Sequence, residues 1–131
     1  MANTVEDLET LLHRLDRRFE RLDDGTILVR FGAHQPPVAL LISDPVLVLQ
    51  VEIGPAPKDE QVQARLFRKL LELNASDLVH AAYGLGDAGI LLMASLEMAN
   101  LDPNELEATL ADFDLALAEQ VSTLHDLNEG K

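Results

Sequence analysis

The chain has 131 residues, of which 47% are hydrophobic and 25% charged, the composition of one folded domain with a core of its own. A formal net charge of −13 argues against a nucleic-acid partner, since phosphates are held by basic surfaces. The absence of cysteine excludes disulfides and thiolate metal sites.

Thr4 to Leu22 predict a first helix, because Val5, Leu8, Leu11, Leu12, Leu15, Phe19 and Leu22 recur at three- and four-residue steps. Thr4 suits the N-cap with Asp7 three residues on, and Asp23-Asp24-Gly25 stops the helix. Arg14, Arg18 and Arg21 stripe one flank, as solvated faces often do. Three strands are then expected over Thr26 to Phe31, Val38 to Ser43 and Val46 to Ile53, with Pro36-Pro37 and Asp44-Pro45 as punctuation. The short connectors make an antiparallel meander. Alternation places Ile27, Val29, Phe31, Val38, Leu40, Ile42, Leu47, Leu49, Val51 and Ile53 toward the core. The opposite face carries Leu28, Arg30, Leu41, Val46, Val48, Gln50 and Glu52, less polar than a wholly solvated face.

Lys58 to Asn74 predict a second helix with Val62, Leu66, Leu70 and Leu73 on one stripe and Ala64, Phe67 and Leu71 well round the barrel from it. The extra stripe fits either burial within the monomer or contact with a second copy. Leu78 to Leu85 and Ala88 to Met98 read as two more strands with Gly86-Asp87 as the turn, although Ala88 to Leu101 also has the residue types of a helix. A last helix runs from the Asp102 cap and Pro103 through Leu106, Leu110, Phe113, Leu117, Val121 and Leu124 to about His125. One domain over 1–131 is expected, with 126–131 a frayed tail.

Met1 to Asp7 carry acids where a signal peptide needs a basic segment, and apolar runs such as Ile90 to Ala94 are too short for a bilayer, so no membrane partner and a cytoplasmic location are expected. Residues 1–69 hold nine of the ten Lys and Arg against eleven acids, whereas residues 70–131 set Lys131 alone against twelve. That second half either simply keeps the protein soluble or steers a basic partner segment.

Gly84-Leu85-Gly86-Asp87-Ala88-Gly89 has the spacing of a dinucleotide fingerprint, but it lies late in the chain with no further strand to carry a ribose-binding acid. Glycines of a hairpin turn account for it better. His13, His34, His80 and His125 are scattered without metal-ligand spacing. Asp112 and Asp114 point in different directions on a helix, and no serine sits in a nucleophile elbow, so neither a catalytic site nor a cofactor is expected.

Leu70-Leu71-Glu72-Leu73-Asn74, then Tyr83-Gly84-Leu85 to Gly89-Ile90-Leu91-Leu92, then Leu101-Asp102-Pro103-Asn104-Glu105-Leu106 and the helix holding Phe113 make a pattern of leucine-rich helix end, glycine hairpin and capped last helix. The pattern resembles the type III secretion chaperone fold shared by the Tir chaperone (CesT) family and the YbjN-like family. The resemblance implies an α+β domain ordered helix, three strands, helix, two strands, helix, with an antiparallel sheet and packed helices. It also decides the ambiguous hairpin in favour of strands. It implies a non-enzymatic homodimer that holds a segment of a client protein, as chaperone or adaptor. The alternative is a nucleotide- or ligand-responsive YbjN-like regulator.

Ala64, Phe67 and Leu71 are the candidate dimer interface. Leu28, Leu41, Val46 and Val48, framed by Leu8, Leu12 and Leu15 of the first helix, are the candidate partner site. Cover of that face by the chain's own helices or by a second protomer explains it as well.

Overall fold

The computed structural model of the protein describes residues 4–130. Helix α1 spans Val5–Arg14, and the Thr4 hydroxyl caps it by accepting from the Asp7 N–H at 3.1 Å. It ends earlier than its leucine spacing predicts. Asp16 turns into the left-handed region with φ 56°, its N–H reaches His13 O, and the Arg17 N–H reaches Leu12 O at 3.0 Å. These paired bonds close the helix as a Schellman motif. The chain then leaves as an edge strand, β1 (Arg18–Arg21), so the expected helix to Leu22 is corrected to a helix and a strand.

Strands β2 (Ile27–Arg30), β3 (Val38–Ser43) and β4 (Val46–Gly54) form the expected meander. Helix α2 (Glu60–Ser76) starts on Asp59, whose carboxylate accepts from the Gln61 and Val62 N–H groups. Strands β5 (Ala82–Gly86) and β6 (Gly89–Glu97) follow as strands, and Gly86 pairs with Gly89, which moves the turn to Asp87-Ala88. All neighbours are antiparallel, in the order β1-β2-β3-β4-β6-β5. Gly89 has φ 128°, and a Cβ there would lie 2.4 Å from Gly54 O. Glycine is therefore required by close backbone approach.

Helix α3 (Pro103–Leu115) begins on Asp102, which accepts from the Glu105 N–H at 2.8 Å. A π-helical turn over Ala116–Gln120 leads into α4 (Val121–Asn128). The last helix thus continues beyond His125. Leu127 packs on the core and Asn128 donates to Pro55 O at 2.7 Å, while Lys131 lies outside the described residues.

One face of the sheet meets the helices. Ile27, Val29, Val38, Leu40, Leu47, Leu49, Ile90 and Leu92 of that face are buried with Leu8 and Leu12 of α1, Leu66 of α2 and Leu106, Leu110 and Phe113 of α3. Each such aliphatic side chain contributes about 1.5–3 kcal/mol by leaving water.

Candidate protein-binding surface

The other face of the sheet is fixed by register. Leu28 pairs with Ala39, Leu41 with Val48, and Val46 with Ser43, while Val48, Gln50 and Glu52 of β4 oppose Ser95, Met93 and Leu91 of β6. Side chains at these positions point away from the helices, since their neighbours one residue along are the buried ones. Leu28, Leu41, Val46 and Val48 remain half-buried, and Met93 is 36% exposed. The four candidate side chains therefore share one aliphatic strip with Ala39, Leu91 and Met93. Sequence reasoning missed these last three, although the alternation of β6 carries the signal for Leu91 and Met93. A cleft of about 410 Å³ beside the strip is lined by Pro36, Pro37, Ala39, Gln50, Val51 and Glu52.

Helix α1 does not frame this surface. Leu8 and Leu12 are 1% and 0% exposed inside the core, and Leu15 packs against it, so none of the three offers an open side chain here. Arg21, which points to the helix side of β1 opposite buried Ile27, pairs with Glu6 and Glu9 of α1 at 3.1 and 3.3 Å. The helix lies behind the sheet. The apolar period of α1 signals burial, and here it is consumed by the core.

The strip ends at β1, an edge strand. The Leu22 N–H donates to Thr26 O at 2.8 Å, which makes this pair hydrogen-bonded, so alternation turns the N–H and C=O groups of Phe19 and Arg21 outward. Among the described residues nothing bonds them. Arg18 and Arg30 face one another at the open-face end of β1 and β2, and Arg30 is paired with Glu20.

On α2, Ala64 is exposed and Leu71 is 69% exposed, whereas Phe67 is half-buried against the core. Ala64 and Leu71 therefore leave an outward stripe with Phe67 at its margin. Val79 and Leu85 stand 79% and 58% exposed.

Two polar arrangements hold the surroundings of β5. Asp112 of α3, 7% exposed, accepts from the Val79, His80 and Ala81 N–H groups at 3.0, 2.5 and 2.8 Å. The Tyr83 hydroxyl donates to Gln120 Oε1 at 2.7 Å, and Gln120 Nε2 lies 3.4 Å from Asp77 Oδ2. Burial pushes the Tyr83 phenol above its ordinary pKa of 10.0, and the Asp77 charge acts in the same direction. Well below pH 10 the phenol is neutral in both states and leaves stability unchanged with pH. As the pH rises through 10, the unfolded chain loses the proton first. Unfolding free energy is expected to fall by up to about 1.4 kcal/mol per pH unit there. Urea melts of wild type and Tyr83→Phe check this, because Tyr83 is the only tyrosine and its removal should flatten the alkaline limb. Equal slopes in both proteins would contradict it.

The glycine segment leads from strand to strand, so no helix N-terminus follows it to receive a pyrophosphate. Among the described residues no group of three His, Cys, Asp or Glu side chains is arranged to hold a metal ion. No helix there is long and apolar enough to cross a membrane.

The sequence matches the CesT_Tir_1 family model over residues 1–130, and the chain belongs to that family. It is similar to a chain of the heterodimeric ExoU–SpcU complex from the type III secretion system of Pseudomonas aeruginosa, at 23% identity and TM-score 0.69, over 95% of this chain and 99% of that one. It is also similar to the Yersinia pestis type III secretion chaperone SycH, solved with a stable fragment of YscM2, at 20% identity and TM-score 0.58, over 89% and 95%. YbjN from E. coli shares the fold at 18% identity and TM-score 0.57, over 95% and 89%. No curated protein matches the sequence. The α+β architecture with an antiparallel six-stranded sheet is that of the secretion chaperones.

Proposed function

We propose that this protein is a non-enzymatic, homodimeric chaperone of the cytoplasm that holds an extended segment of a partner protein on the open face of its sheet. The observation that carries the reading is the aliphatic strip Leu28, Leu41, Val46 and Val48, left uncovered by the chain's own helices and running toward the free edge of β1. An extended segment satisfies main-chain groups at such an edge while alternate side chains fill apolar ground on the sheet. Family membership supports it, as do solved relatives in complexes, among them the HopA1–SchA chaperone–effector complex at TM-score 0.60. The net charge of −13 favours a client segment with basic residues, whose association quickens at low salt.

Affinity capture from the native cell identifies the client, and amide exchange of the complex then locates it. Slowed exchange at Phe19 and Arg21 in β1 is expected. Protection confined to α3 and α4 would contradict the reading.

The dimer is assigned to the outward stripe of α2. An isologous contact repeats each residue, so one substitution acts twice. Phe67→Glu is expected to give a monomer in light scattering with its circular dichroism retained, as are substitutions at Ala64 and Leu71 to a lesser degree. A folded Phe67→Glu dimer would remove this helix from the interface.

A further inference from the structure

We propose that Asn74 closes the β5 edge of the sheet, its carboxamide taking the place of a neighbouring strand, and thereby confines strand addition to β1. This goes beyond the client reading, because it concerns which edge stays shut to any added strand, including one from a second copy. The geometry begins at the hairpin. A two-residue turn makes Gly86 and Gly89 a hydrogen-bonded pair, so alternation makes Tyr83 and Leu92 a non-bonded pair. The N–H and C=O of Tyr83 therefore point outward from the edge. Both are occupied by one side chain. The Tyr83 N–H donates to Asn74 Oδ1 at 2.7 Å, and Asn74 Nδ2 donates to Tyr83 O at 3.2 Å. A primary amide offers one donor and one acceptor side by side, the same pair that a peptide group of an adjacent strand presents.

The outward N–H two residues earlier is occupied as well. Ala81, ahead of the strand, donates to Asp112. Among the described outward groups of β5 only those of Leu85, at the hairpin tip, are left without a partner. The two edges of one sheet thus differ, with Phe19 and Arg21 open on β1 and Tyr83 closed on β5.

The closure matters because of what surrounds it. Leu85 lies two residues after Tyr83 and Val79 four before it, and both are exposed. An unpaired strand bordered by exposed aliphatic groups is a template for association with another chain. A side-chain amide on a helix removes the template without a strand, a bulge or a charge.

The test compares wild type, Asn74→Ala and the double variant Asn74→Ala with Leu85→Lys. Alanine retains helix propensity, and circular dichroism with urea melts establishes that each variant folds. The Tyr83 amide is expected to exchange about tenfold faster in Asn74→Ala, with the Leu28 and Leu49 amides unchanged. In sedimentation velocity, Asn74→Ala is expected to form concentration-dependent species larger than the wild-type particle. Leu85→Lys should suppress them by placing a charge on the reopened edge. Unchanged exchange at Tyr83 would overturn the proposal. So would faster exchange without any self-association, since an open edge would then recruit nothing. If Asn74→Ala melts before it can be studied, Asn74→Gln serves in its place. Its longer amide keeps the helix polar but misplaces both bonds, and the same exchange and sedimentation results decide. None of these readouts involves the client, so their failure leaves the client reading standing.

Discussion

Asp112→Ala is expected to lower the unfolding free energy by about 3 kcal/mol, read from urea melts at neutral pH, because three backbone N–H groups lose their one acceptor. Successive N–H groups of the turn before β5 converge on a single carboxylate oxygen, as in a backbone nest that binds an anion. Alanine leaves them without a partner. Those of Val79 and His80 lie near the surface, where water regains part of the loss, but that of Ala81 is buried. Asp112→Asn keeps an oxygen acceptor without the charge and is expected to cost about half as much. The consequence is local as well, since this carboxylate sets the path of the chain into Ala81 and Tyr83. A change under 1 kcal/mol in the alanine variant would show that the turn needs no such anchor.

Much of the architecture was legible because the sequence repeats its message at several levels. Thr4 and Asp102 cap the helices they were expected to cap, and Val38 to Ser43 forms a strand over that same span. Ile90 to Leu92, which suit either state by composition, follow the glycine hairpin as strand. The first helix was overextended for a physical reason. Leu15 and Phe19 are four apart and so continue its stripe, whereas a four-residue edge strand is too short to display a period of its own. The signal that decides is Asp16 in the left-handed region, and aspartate marks that conformation far less clearly than glycine.

The candidate site was legible in part. The outward alternation of Leu28, Leu41, Val46 and Val48 followed from the meander alone. What escaped is the third dimension. Leu8 and Leu12 were assigned to the same surface, yet α1 lies behind the sheet, a choice between two faces that no spacing encodes. Nor does any motif announce that Asn74 will meet Tyr83, or that Asp112 will reach across 31 residues of chain to Ala81. Side-chain to backbone bonds between distant elements leave no periodic trace. Asn74 stood out only as the end of a leucine-rich helix.

In the proposed function the aliphatic strip of the open face holds the partner. Val48 is at its middle, between Leu41 on β3 and Ser95 on β6, and is half-buried, so a substitution there alters the surface without opening the core. Aspartate at that position sets a charge where an apolar side chain of the client would rest, and a desolvated, unpaired carboxylate is costly. Client capture by Val48→Asp is therefore the measurement to make, with Glu60→Gln at an exposed position of α2 as the control and with circular dichroism and light scattering matched to wild type. Val48→Asp is expected to retain at most about a hundredth of the wild-type affinity while the control keeps it. Undiminished capture by a folded Val48→Asp protein of unchanged size would contradict it.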